Sequence, residues 1–213
     1  MIPVVGSLAG FAIDQLPARR MNRVVTYLHL LHERVAAMAA DLNTLRQQWD
    51  QRPEASGLFE AGISAAAEAT SDPRMERLAS VVASGLTANE VTAMNAARRI
   101  RLLREMDDGE FALLVIVERE RRITLRYADD YGWLDDNTVT FISAGGEQPP
   151  PALPAELADW STSDLSTALN HLAGLGVIEA NLAQHSKEHG AIRSYVATPA
   201  GQELVRIVSG EPA

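Results

Sequence analysis

No cysteine occurs among the 213 residues, which excludes disulfides, thiolate zinc sites and cysteine nucleophiles. An unbridged protein of a reducing compartment, the cytoplasm, is the expectation. No apolar run approaches the roughly 20 residues that a membrane-spanning helix needs. The apolar opening, Met1 to Leu16, has no positive charge ahead of its hydrophobic part, so it does not read as a secretory leader, and membrane contact is not expected. No phosphate-binding loop is present: Gly6 and Gly10 precede no Lys-Ser/Thr pair, and Gly145-Gly146 run into prolines rather than a helix. Catalytic constellations are missing too. The Asp pairs beginning at Asp107, Asp129 and Asp135 stand at turns and helix starts, where capping accounts for them, and no neighbouring base completes a mechanism. A non-enzymatic protein with no cofactor and no metal follows as the expectation.

What is present is an ordinary globular composition, 46% hydrophobic and 22% charged, long enough for one large domain or two small ones. The net charge of -9 is unevenly spread. Residues 1–126 hold sixteen acids and sixteen arginines; residues 127–150 hold five acids and no base; residues 151–213 hold seven acids against Lys187, Arg193 and Arg206. All the surplus negative charge therefore falls on the C-terminal part.

From Met21 to Trp49 apolar residues recur three and four apart, at Met21, Val24, Leu28, Leu31, Val35, Met38, Leu42, Leu45 and Trp49. This is a heptad stripe, which predicts a long helix that must bury one face against another helix. The partner is either a segment of the same chain or a second copy. In the second case Val24, Leu28, Leu31, Val35, Met38, Leu42 and Leu45 form a homodimer interface. A break at Pro53 and Gly57 leads to an alanine-rich helix over 58–70 with Leu58, Phe59, Ile63 and Ala66 on one side. Asp72-Pro73 then reads as an N-cap followed by proline in the first turn, with Gly85 placed to end that helix. Thr87 and Glu90 make a capping box for a helix that runs to about Met106. Asp107 and Glu110 repeat the device ahead of the apolar run Phe111, Leu113, Leu114, Ile116 and Val117.

Residues 123–152 lose helical period and carry an acidic, partly extended insertion. Beyond it, Leu153-Pro154-Ala155-Glu156-Leu157-Ala158-Asp159-Trp160 leads into a helix from Ser161 to Gly174. Gly176-Val177-Ile178-Glu179, a hairpin and Thr198-Pro199-Ala200-Gly201-Gln202-Glu203-Leu204 follow. This order resembles the winged helix of MarR-like and PadR-like bacterial regulators, above all in the "G-V-I-E" exit and the "T-P-x-G-x-x-L" ending. The resemblance covers about residues 107–210. It implies a winged helix with a small β-hairpin wing over residues 107–213, and the helical patterning of residues 1–106, read as a bundle or long helical hairpin, makes the whole a mainly α protein. The N-terminal part, from Ile2-Pro3-Val4-Val5-Gly6 to Arg77-Leu78-Ala79-Ser80, is similar to bacterial helical proteins of unassigned role, which transfers no site.

The resemblance implies that the helix after Ser161 would read DNA, offering Ser163, Ser166, Thr167, Asn170 and His171, with Lys187 and Arg193 on the wing. Base and phosphate contacts lean on Arg and Lys, however, and this helix has neither, while Asp164 repels a phosphate backbone. The expectation is therefore a protein-interaction or assembly module that is homo-oligomeric or bound to a protein partner. A DNA-binding regulator is the alternative, disfavoured by charge. Arg98, Arg101 and Arg104 recur at three-residue spacing on one helix and either pair with nearby acids or receive an acidic or phosphate-bearing partner. His185 with His189, and His29 with His32 and Glu33, fall short of a metal-ligand set.

Overall fold

The structure, a computed structural model, describes residues 18–38, 53–87, 90–120, 123–126, 139–140, 159–186 and 190–210. Within them the chain is mainly helical with a small antiparallel sheet near the C-terminus. The elements are α1 (Ala18–Met38), α2 (Pro53–Glu68), α3 (Asp72–Thr87), α4 (Glu90–Glu105), α5 (Asp108–Glu120), β1 (Ile123–Arg126), β2 (Val139–Thr140), α6 (Thr162–Gly174), β3 (Ile178–Ser186), β4 (Gly190–Ala197) and α7 (Pro199–Ser209). The chain divides into two compact units, Met1–Glu105 with Ile207–Ala213, and Met106–Arg206. Among the described residues no helix is long and apolar enough to cross a membrane.

The first unit is a helical bundle organised around α3, which packs against α1, α2 and α4, while α2 also meets α1 and α4. A central helix must be apolar on nearly every side, and Leu78, Ala79, Val81, Val82 and Ala83 are fully buried. Small residues set the approach distances. A methyl at Gly85 would overlap both Leu58 of α2 and Ala96 of α4, and one at Gly62 would overlap the Tyr27 hydroxyl and Val82. Gly85 therefore does not end α3, as its position suggests; it lies inside the helix where two neighbours close in. Gly57 likewise sits within α2, which begins at Pro53 rather than after a break. The cap of α3 also moves by one residue: Ser71, not Asp72, takes the position, its Oγ accepting from the Arg74 amide at 3.3 Å.

The heptad stripe finds its partner inside the chain wherever it is described. Val24, Leu31 and Val35 are 3%, 5% and 8% exposed, buried as α1 packs on α3 and α2. Those three are not free to form an interface with a second copy. Leu28 is half-buried, and Tyr27, outside the expected stripe, takes the central place with 0% exposure. The side chain of Met38, and Leu42 and Leu45 altogether, lie outside the described residues.

In the second unit α5 packs against β4 and α6, and α6 packs against β3. The sheet has the order β2-β1-β4-β3 with every pair antiparallel. It is larger than the expected two-stranded wing because β1, from the start of the acidic insertion, adds to the outer side of β4, setting Ile123 opposite Tyr195 and Arg126 opposite Ile192. The β3–β4 hairpin carries an irregularity between Leu182 and Gln184. Such an extra residue bends a strand and sharpens its twist.

Candidate interaction surface

The helix expected to make the functional contact is α6, and local chemistry fixes both its ends. At its start Ser161 Oγ accepts from the Asp164 amide at 3.2 Å and donates to Asp164 Oδ2 at 2.7 Å, while the Ser161 amide donates to the same carboxylate oxygen at 3.0 Å. This reciprocal box satisfies amides that the first helical turn leaves without partners. The Ser161 hydroxyl, and after it the Ser161 amide, hold the Asp164 carboxyl below the usual carboxylate range. Just ahead of the box the Trp160 ring lies on Gly109 near the start of α5, where any Cβ would overlap the indole.

At the far end, the Val177 amide donates to the Leu172 carbonyl at 3.2 Å and the Gly176 amide to the Ala173 carbonyl at 3.0 Å. Gly176 has φ +73°. These bonds close a Schellman motif, whose left-handed residue is best supplied by glycine. The "G-V-I" exit is therefore a helix stop. The "T-P-x-G" motif has an equally structural origin: Thr198 Oγ1 donates toward the carbonyls of Gly176 and Val177, at 2.9 and 3.1 Å, and accepts from the Gly201 amide at 3.2 Å. Its own amide donates to the Val177 carbonyl at 3.0 Å. Gly201 must lack a side chain, since a Cβ there would collide with that same carbonyl.

Between these ends Leu165, Ala168, Leu169 and Leu172 are buried, which leaves Ser163, Asp164, Thr167, Asn170 and His171 exposed and Ser166 half-buried. Two of the expected base-reading residues are tied back into the unit. His171 Nδ1 lies 2.6 Å from Glu110 Oε1 of α5. The Tyr195 hydroxyl of β4 donates to Asn170 Oδ1 at 3.3 Å. Glu110 is the pivot: its side chain is 12% exposed against 42% for His171, and its second oxygen accepts from the Asp107 amide at 2.9 Å. The Glu110 amide in turn donates to Asp107 Oδ1 at 2.7 Å, so the carboxylate that closes the α5 capping box also holds α6. The capping half of this arrangement is visible in the three-residue spacing of Asp107 and Glu110. The link to His171 crosses sixty-one positions and leaves no local signal.

The one charged side chain of α6 is Asp164, exposed like Asp159 ahead of the helix and Glu179 on β3. Arg193 lies on β4 opposite Leu125 of β1 and Leu182 of β3, with its side chain outside the described set, and Lys187 and His189 are likewise outside it. The helix thus presents hydroxyls, an amide, an imidazole and one carboxylate, all of them hydrogen-bonding groups. Among the described residues no cluster of three or more His, Asp and Glu is placed to hold a metal ion. Comparison of the chain with protein-family models, with curated proteins and with solved structures finds no match.

Proposed function

We propose that the second unit is a winged-helix-like module that makes protein contacts through α6, in a non-enzymatic cytoplasmic protein of interaction or assembly. The order of α5, α6, hairpin and α7 supports the winged-helix reading, since it is the order the sequence resemblance implies. The observation that supports the protein-contact reading is α6 itself: it carries no Lys or Arg, and Asn170 and His171 are engaged by Tyr195 and Glu110. A groove-reading helix needs those side chains extended toward base edges and needs positive charge around them to offset the phosphates. Contact with polypeptide needs neither.

A photoreactive residue introduced at Thr167 of the full-length chain tests this. Polypeptide adducts through α6, with fluorescence anisotropy showing no retention of duplex DNA at low salt, are the expected outcome. Duplex retention that falls steeply with salt and is abolished by Asn170→Ala would overturn the reading in favour of a DNA-binding regulator, because phosphate contacts release counterions.

A further inference from the structure

The bond between Glu110 and His171 joins α5 to α6, and it also decides which edge of the imidazole stays available. In a neutral imidazole one ring nitrogen carries the proton and the other accepts, and the bond made by the first settles the role of the second. His171 Nδ1 lies 2.6 Å from Glu110 Oε1. An ionised carboxylate only accepts, so Nδ1 holds the N–H and donates it. Glu110 is not free to turn away: its other oxygen accepts from the Asp107 amide at 2.9 Å, and its side chain is 12% exposed. Nε2 is left with a lone pair and with no hydrogen-bond partner among the described residues, on a side chain that is 42% exposed.

Glu110→Gln reverses this polarity. The Asp107 amide requires an oxygen, so the carboxamide keeps its carbonyl there and turns its NH2 toward His171. Two N–H groups do not face each other at hydrogen-bond distance, and the imidazole relieves the conflict by carrying its proton on Nε2 instead. The acceptor on α6 becomes a donor. The other half of the α5 capping box, the Glu110 amide on Asp107 Oδ1, is untouched.

We infer that His171 Nε2 is the acceptor through which α6 takes an N–H or O–H of a partner polypeptide, with Glu110 as its positioning residue. This rests on the reading of α6 as a polypeptide-contact helix and names the group that the partner must supply. No Lys or Arg of α6 is present to donate to Nε2 in the partner's place. Thr167 stands four residues earlier, about 6 Å along the helix axis and on the same side, so a probe at that position reports on what reaches His171.

Heteronuclear NMR of the imidazole nitrogens in mildly alkaline buffer, combined with photocrosslinking from Thr167, tests the inference on the full-length chain. His171 is expected to carry its proton on Nδ1, and Glu110→Gln to move it to Nε2 with unchanged circular dichroism and melting. The polypeptide adduct formed at Thr167 falls about tenfold or more in Glu110→Gln, where a donor now meets a donor. It falls as far in His171→Ala, which leaves the α5 capping box intact. An Nε2–H tautomer or a doubly protonated ring in the wild type, or a tautomer unmoved by Glu110→Gln, overturns the inference. So does an adduct that survives both substitutions, and in that case the proposed role of α6 stands. A wild type that gives no polypeptide adduct, or that retains duplex DNA with a steep salt dependence, removes that role and the inference with it.

Discussion

Tyr27 shows how a single side chain departs from the pattern that surrounds it. The heptad stripe reads through Leu28, yet the phenol beside it is the buried one, seated where Gly62 leaves room for its hydroxyl. That hydroxyl has no hydrogen-bond partner among the described residues. Burial pushes its ionisation well above the usual tyrosine value of 10.0. An unpartnered buried hydroxyl costs desolvation and returns nothing, whereas a ring of the same shape without it keeps the packing. Tyr27→Phe is therefore expected to leave the fold intact and raise its stability by about 1 kcal/mol in urea unfolding at neutral pH. The alkaline side provides an independent check. A group whose folded pKa is raised contributes stability that is complete below its unfolded pKa and is lost as pH climbs from there toward the folded value. Wild-type stability should accordingly fall above about pH 10, and Tyr27→Phe should flatten that fall. A variant markedly less stable at neutral pH would mean that the hydroxyl has a partner after all.

At the level of elements, what can be read from sequence tracks the distance over which a feature is decided. The capping box at Asp107–Glu110 and the stop at Gly176 follow from residues within one helical turn and stand where the sequence puts them, and the Ser161–Asp164 box, equally local, is seen in the structure. Gly57 and Gly85 mislead for the opposite reason. A glycine costs a helix only about 1 kcal/mol; at Gly85 the packing of α3 against Leu58 and Ala96 outweighs it, while Gly57 is exposed with nothing packed on it and the rest of α2 carries it. The addition of β1 to β4 and the Glu110–His171 bond depend on residues far apart in the chain, so no window of sequence contains them. The Ser161–Asp164 box yields a prediction with a definite sign. Asp164 is held below its ordinary value, so its contribution is present above about pH 3.9 and is lost as pH falls through the folded value. Ser161→Ala removes the first of the two causes and should shift the acid unfolding of the second unit to higher pH, followed by circular dichroism. An unchanged acid limb would mean that the box forms in the unfolded chain as readily as in α6, or not at all.

For the molecule as a whole, charge was legible where topology was not, because charge adds residue by residue and needs no partner to be counted. A neutral bundle and an acidic second unit follow directly from the order of residues. Each unit also closes its own interior. Among the described residues Tyr27, Leu78, Ile100 and Leu103 are the large fully buried side chains of the first, and Met106, Leu113, Leu114, Leu169 and Tyr195 those of the second. A separate core is the physical requirement for separate folding. Removing the Leu78 side chain by Leu78→Ala leaves a void at the centre of the bundle, a change that costs about 2–5 kcal/mol depending on how far the neighbours relax. Amide hydrogen exchange monitored by mass spectrometry should then show α3 peptides exchanging roughly thirtyfold faster or more, while α5 and α6 peptides keep their protection. Leu114→Ala should produce the reverse, exposing α5 and α6 and sparing α3. If either substitution lowers protection equally in both sets of peptides, the two interiors unfold together and the chain is one cooperative domain.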